Sequence, residues 1–527
     1  MLDRRVLAPH ALARWAAETP DSPALVHVDG EQVTYRELLY DSYRWASSLQ
    51  ALGVTAGTHV ATLLPNTFDA HRTMLGLSWL RAVEVPLNVA YLGDMLRHAL
   101  TLSESEMVVT TNALLPRIAQ LAPELPALRT VMTVDGPPDR SLPNLETVDL
   151  RTLPEQTPVE TDFAGPDVWD ISTLLFTSGT TGPSKAVVSP WGLTYNMWSW
   201  VPEDTLSPGE ALFLALPLFH NSGRSGFNYV LSRGGCLVTR DKFSATSVWD
   251  DVRKHNCVAL ALVGPLTALL YSAPPRDDDA DNPVRSVILG PMIPQIEDFK
   301  KRFDVRVCIC YGQTEIGAPV ASTWEHGPWQ NCGRRRETWP WHEVRIADEY
   351  DEAVPVGQVG EMIVRTAEPW ALNLGYYGMP EAALAAWRNG WFHTGDAFRE
   401  DENGYFYFVD RMRDTIRRRG ENISSFEVEH AVGLHPGVRE CAAVGMPTPY
   451  GDDEVFVAVI PAGPDFDPAE LVADMTKKLP AFMVPRYVHV VEDLPRNATT
   501  GRVRKTELRA AGLPEGVYDR TTATPAG

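Results

Sequence analysis

The residues best suited to chemistry lie in Thr177-Ser-Gly-Thr-Thr-Gly-Pro-Ser-Lys185, directly after the apolar, strand-like run Ile171-Ser-Thr-Leu-Leu-Phe176. These nine positions hold five hydroxyl side chains, two glycines and one lysine. Glycines let backbone approach a ligand closely, hydroxyls and amide N–H groups donate to anionic oxygens, and the lysine adds a mobile positive charge. That combination suits a polyphosphate. It is not the P-loop of nucleotide hydrolases, because Gly179 and Gly182 are too close together and Lys185 follows a Pro-Ser step rather than a glycine. By composition alone the stretch also reads as a surface turn of small residues.

Further clusters follow in order: Tyr311-Gly-Gln-Thr-Glu-Ile-Gly317, Gly390-Trp-Phe-His-Thr-Gly-Asp396, Asp410-Arg-Met-Arg-Asp-Thr-Ile416 with Gly420-Glu-Asn-Ile-Ser424, and Leu494-Pro-Arg-Asn-Ala-Thr-Thr-Gly501. Together with the first loop they resemble the fingerprints of the ANL superfamily of adenylate-forming enzymes, which comprises acyl-CoA synthetases, adenylation domains and luciferases. The likeness covers nearly the whole chain and points to the acyl-CoA synthetase branch. It implies ATP/AMP, Mg2+ and coenzyme A as cofactors, and a carboxylic acid or its acyl-adenylate as substrate. Residue by residue it implies that Thr177, Ser178, Gly179, Thr180, Thr181 and Lys185 meet the phosphates. Gly290, Pro291, Tyr311 and Gly312 would lie at adenine, Thr314 at the α-phosphate, Asp396 and Arg411 at the ribose, and Glu315 at Mg2+. His220, Gly264 and Gly317 would line the acyl pocket. Gly420 would line the CoA tunnel, and Arg413 and Asp414 would form a hinge; the arginine run that includes Arg418 and Arg419 reads either as a solvated charged face or as a contact to the phosphates of CoA.

One position departs from the family. After Gly501 the family places a lysine that bridges carboxylate and α-phosphate during adenylation; this chain has Arg502. Ammonium is a compact point charge, whereas guanidinium is planar and wider. Loss of such a stabiliser typically costs about 100- to 1,000-fold in rate. Weak or lost adenylation with retained thioesterification of acyl-AMP is therefore expected, with an upstream adenylating enzyme as supplier. Lys505 could substitute through a register slip, although it lies about 10 Å along an extended chain from the expected place. Two alternatives stay open: a ligase loading a carrier-protein thiol, and an inactive acyl-adenylate-binding homologue. A smaller departure is Ala186, where relatives mostly have glycine.

These residues need a scaffold, and the pattern supplies one. Strand-like runs such as Val60–Leu64, Val83–Leu87, Met107–Thr111 and Thr130–Val134 alternate with helical spacing, which favours parallel sheets flanked by helices. A proline-bearing passage from Pro138 to Gly165 reads as a long crossover, and Ala211 to His220 as a buried strand. The runs Val344–Ala347, Gly360–Arg365 and Tyr405–Val409 are shorter, alternating and turn-rich, suggesting antiparallel sheet and a small β-barrel-like part. Phe426–Val432, Glu440–Gly445, Val455–Ile460 and a helix capped by Asp467 form an α+β unit. The expected architecture is a large α/β N-terminal domain over 1–410 and a small mobile α+β lid over 411–527. At 527 residues, two domains are expected on size alone. A formal charge of −21 argues against nucleic acid and anionic membranes as partners. No apolar run reaches membrane-spanning length, and six cysteines in apolar contexts read as reduced thiols of a cytoplasmic protein. No G-x-S-x-G elbow supports a hydrolase. Homodimers are common among relatives, and the resemblance leaves the assembly state and the acyl group open.

Overall fold

The structure, a computed structural model, describes residues 2–152, 159–177, 184–290, 292–293, 295–324, 327–411, 415–419, 421–449, 451–496, 503 and 505–522. The chain divides into two compact units. One comprises Met1–Val89, Ala99–Phe176 and Ala186–Asp410; the other comprises Ala90–His98, Thr177–Lys185 and Arg411–Gly527.

The first unit is built on two sheets. A seven-stranded sheet contains the expected runs as His59–Leu63, Val83–Pro86, Met107–Thr110 and Thr130–Thr133, all paired in parallel. The passage expected as a bare crossover also contributes a strand, Glu146–Asp149, at the sheet edge. Four alternating residues are too few to stand out against proline-rich surroundings.

The larger sheet changes character along its width. From Pro23–His27 through Cys236–Thr239, Ala211–Phe213, Cys257–Val263 and Ser286–Gly290 to Arg306–Gln313 every pairing is parallel. From Arg306–Gln313 onward, through Gly317–Ser322, Asn331–Arg335, Tyr405–Arg411, Trp391–Glu400, Gly360–Thr366 and His342–Ala347, the pairings are antiparallel. The strand expected to run from Ala211 to His220 ends at Phe213. Leu214 N still donates to Val238 O, but Pro217 has no N–H with which to continue.

Helices bury the parallel strands on both faces. Ala8–Glu18, Tyr35–Ala51, Phe68–Trp79 and Asn221–Arg233 share one core with strands of both sheets. Val248–Lys254 and Ile296–Phe303 cover the opposite face, where Phe299, Phe303 and Leu260 are fully enclosed. The antiparallel part encloses its own core of Ile316, Val320, Met362, Val364, Phe392, Phe398 and Phe406; in strand order it continues the large sheet, ending at His342–Ala347, where a small barrel-like part was expected.

In the second unit, Val438–Pro447, Asp453–Pro461, Tyr487–Val490 and Tyr518–Asp519 form a four-stranded sheet packed by Ser425–Gly433 and Pro468–Lys478. The latter helix starts as its sequence dictates. Asp467 accepts from Ala469 N (2.8 Å), and Pro468 occupies a position whose N–H would have no helical partner. Among the described residues no helix is long and apolar enough to cross a membrane.

Candidate active site

The polar side chains of the first unit converge where the large sheet changes from parallel to antiparallel. Tyr311 and Gln313 lie two apart on Arg306–Gln313, the last strand paired in parallel. Tyr311 Oη donates to Asp396 Oδ2 (2.8 Å), and Gln313 Nε2 donates to the same oxygen (2.9 Å) and to Thr394 O (3.0 Å). Asp396 is 2% exposed. A buried carboxylate needs such donors, because water is not there to solvate it. Tyr311 packs edge-on against Phe398 at 4.7 Å and belongs to the antiparallel core.

Both strands of this corner are irregular, and the irregularities aim the side chains. On the Tyr311 side, Tyr311 opposes Val320 while Gln313 opposes Gly317. Here Gly312 approaches so closely that a Cβ would strike the Gly317 carbonyl, and Gly317 has φ +70°. On the Asp396 side, Glu361 opposes Ala397 while Ile363 opposes His393, so Thr394, Gly395 and Asp396 bulge from the ladder. Gln313 was missed by the sequence reading, although strand periodicity places it on the face of Tyr311.

Glu315 sits in the turn after Gln313. Its backbone carbonyl accepts from Asn373 N (2.9 Å) and Asn373 Nδ2 (2.8 Å), and its carboxylate accepts from Tyr376 Oη (3.1 Å). Burial and the neighbouring Glu315 charge push the Tyr376 phenol far above its ordinary range, so it remains a donor. The segment holding these residues is stitched to the strand Lys185–Pro190. Tyr377 N donates to Ala186 O (2.8 Å), Leu374 N to Val188 O (3.0 Å) and Val188 N to Gly375 O (3.0 Å). Ala186 is fully buried. A single carboxylate held this way fits Mg2+, which typically takes one or two protein carboxylates plus substrate phosphates. Among the described residues no cluster of three or more His, Cys, Asp or Glu could hold a metal alone. Asn373 and Tyr376 carried no motif in the sequence reading.

The other expected site residues are distributed as follows. Thr177 ends the strand Ile171–Thr177, Lys185 begins Lys185–Pro190, and Thr314 lies in the turn beside Glu315. Gly264 opens the helix Gly264–Ser272, and Gly290 ends its strand opposite Val263. His220 immediately precedes the helix Asn221–Arg233, its ring 4.7 Å from that of Phe219. One turn on, Arg224 forms a buried ion pair with Glu84 (2.8 Å). Gly317 presses against Asn196, whose amide donates to Ile316 O (3.0 Å) and Ala371 O (2.9 Å).

In the second unit, Arg418 corrects an expectation. Instead of reaching outward to CoA it is 3% exposed, paired with Glu454 (2.7 Å) and donating to Phe482 O (2.8 Å). Alternation on Thr415–Arg418 puts it on the inward face with Ile416, and burial lowers its pKa. Arg419 is exposed, its backbone N–H bound by Asp452 (2.8 Å). Lys505 donates to Ser425 Oγ (2.7 Å) and pairs with Glu429 (2.7 Å), so the register-slip substitute already has partners. Ser184, just before the loop lysine, donates to Glu427 Oε1 through Oγ (2.6 Å) and N (3.0 Å). Ser178, Gly179, Thr180, Thr181, Pro291, Arg413, Asp414, Gly420 and Arg502 lie outside the described residues, as does the side chain of Arg411.

The AMP-binding enzyme family matches residues 12–377, and the AMP-binding enzyme C-terminal domain matches residues 427–500. A crotonobetaine/carnitine–CoA ligase of Citrobacter koseri is 28% identical over 491 residues, 91% of this chain and 93% of the relative. An amide bond synthetase from Marinactinospora thermotolerans is 26% identical with a TM-score of 0.81, covering 95% of this chain and 99% of the other. The o-succinylbenzoate CoA synthetase of Bacillus subtilis, at 24% identity, shares the fold with a TM-score of 0.81, covering 94% of this chain and 97% of its own.

Proposed function

This chain belongs to the AMP-binding enzyme family, and on that footing we propose that it is an AMP-forming acyl-CoA ligase. The observation that carries the reading is the buried Asp396 carboxylate, held by Tyr311 and Gln313 two residues from Glu315. An acceptor-only side chain suits the ribose hydroxyls of a nucleotide. Glu315 would hold Mg2+ against the phosphates, where the ion offsets their charge. Thr177 to Thr181 and Lys185 donate to phosphate oxygens, and residues 411–527 act as a mobile lid.

The substrate carboxylate attacks the α-phosphorus of ATP, forming the acyl–O–P bond as pyrophosphate leaves. The CoA thiol then attacks the acyl carbonyl, losing its proton, and AMP departs. Positioning and charge stabilisation supply the catalysis. Cysteines such as the buried Cys236 and the half-buried Cys310, whose thiols desolvation pushes up to about 12, are poor nucleophiles and fit a scheme without a covalent enzyme intermediate.

Arg502 makes the first step the weak one, so this chain works mainly on an acyl-adenylate made by another enzyme. Pyrophosphate exchange with a panel of carboxylic acids, set beside CoA capture of their synthetic adenylates, tests this. Capture without exchange supports the specialised role, and equal competence in both refutes it. The likeness to an amide bond synthetase favours one second reading, in which an amine takes the acyl group. Competition between CoA and amines for one acyl-adenylate decides between them.

A further inference from the structure

We propose that Glu361 is a positioning residue that fixes the direction of the Asp396 carboxylate and thereby lets the site distinguish ribose from a sugar lacking the 2′- and 3′-hydroxyls. The inference rests on the reading of Asp396 as the ribose acceptor. It starts from the bulge. Two steps along Gly360–Thr366, from Glu361 to Ile363, face four along Trp391–Glu400, from Ala397 back to His393. The extra residues lose their ladder partners, and backbone groups left unpaired inside a protein are costly.

Side chains replace the missing ladder. Glu361 Oε1 accepts from Gly395 N (2.9 Å), and Glu361 Oε2 accepts from His393 Nδ1 (2.9 Å). Thr394 Oγ1 donates to Met362 O (2.6 Å) and accepts from Asp396 N (3.1 Å). The Glu361 carboxylate thus grips the residues on both sides of Thr394, and the turn can deliver Asp396 in one orientation. The His393 side chain is only 7% exposed, with Asp351 on its far side at 3.6 Å and Arg388 Nη2 at 3.3 Å from Nδ1. Hydrogen bonds to an ionised carboxylate are the stronger kind, so the grip is stiffer than a neutral amide would give. The Glu361 carboxylate is taken up by His393 and Gly395, so its effect passes through the Asp396 geometry. A carboxylate turned from its acceptor direction still sits in the corner but no longer aligns with two adjacent hydroxyls.

The test is equilibrium binding of AMP and of 2′,3′-dideoxy-AMP to the full-length wild type, Glu361→Ala, Glu361→Gln and Asp396→Asn, with thermal unfolding run on each. Glu361→Ala is expected to weaken AMP about tenfold while leaving dideoxy-AMP within about twofold, because a contact already absent cannot be lost twice. Glu361→Gln keeps one acceptor oxygen and should fall between wild type and alanine. Equal weakening of both nucleotides, or no change in either, overturns the role of Glu361 while the ribose reading stands. A wild type that binds both nucleotides alike overturns the ribose reading itself, and the Glu361 inference with it.

Discussion

The two halves of the large sheet share one hydrogen-bonded ladder but do different work. In the parallel half, strands such as Cys257–Val263 are apolar along most of their length and covered by helices on both faces, so their side chains make core. In the antiparallel half, bulges and turns interrupt the pairing, and at those interruptions Tyr311, Gln313, Glu315 and Asp396 come together. A regular ladder leaves no backbone group to spare and no side chain re-aimed. Convergent polar side chains collect where the ladder breaks.

The sharpest way to break this comparison is a pair of truncations. Phe299, fully buried on the parallel half beside Phe303 at 4.8 Å, should cost about 3–5 kcal/mol of stability as alanine. In the protein that remains folded, AMP affinity should be unchanged. Asp396→Ala should do the reverse, weakening AMP about 100-fold with a smaller effect on unfolding. Denaturant titration and calorimetric binding read the two quantities separately, and a common pattern for both variants would erase the distinction.

Acidification should strike both regions alike. His71, pressed on Phe227 at 4.6 Å, is held down to about 4, and His342, beside Asn196 in the antiparallel region, to about 3, in both cases chiefly by burial. Each folded-state pKa lies below the unfolded value near 6.5. The unfolded chain therefore takes up protons first as pH falls, and stability declines from about pH 6.5 toward the folded values. At pH 5 the loss should reach about 2 kcal/mol per histidine. Unfolding free energies measured between pH 7 and pH 5 check this, and replacing either histidine by a neutral residue should flatten the curve.

Subtler still is Tyr376→Phe, which removes the donor to Glu315. The Mg2+ concentration giving half-maximal nucleotide binding should rise about tenfold, as when an outer partner of a ligand is lost. Apolar packing of the ring is kept, so the unfolding midpoint should move little. Smallest of all is Glu343→Gln. Its pairing with Arg365 (2.7 Å) is solvent-exposed, and the change should stay within about 0.5 kcal/mol.

Much of this was legible in the sequence for physical reasons that differ by region. Parallel strands announce themselves as apolar runs, and Asp467-Pro468 marks a helix start by cap chemistry alone. Glu315, Asp396 and Tyr311 were singled out because the short motifs that carry them resemble the family's fingerprints. Gln313 and Glu361 were not singled out, since a polar residue on a strand looks solvated until its pairing partner is known. Arg418 misled for the opposite reason. A run of three arginines reads as a charged surface, and only strand alternation separates the inward Arg418 from its neighbours. Tyr376 and Asn373 reach Glu315 from far along the chain, a contact that no local pattern encodes.

The central claim is that an acyl-adenylate is held by its ribose at Asp396 while CoA takes the acyl group. The most direct measurement is single-turnover conversion of synthetic acyl-adenylates with CoA, following AMP and thioester by mass in wild type and Asp396→Ala. Matched release of AMP and acyl-CoA is expected in the wild type, and a large loss in the variant. Thioester formation that is equal in both proteins, or absent for every adenylate offered to the wild type, would contradict it.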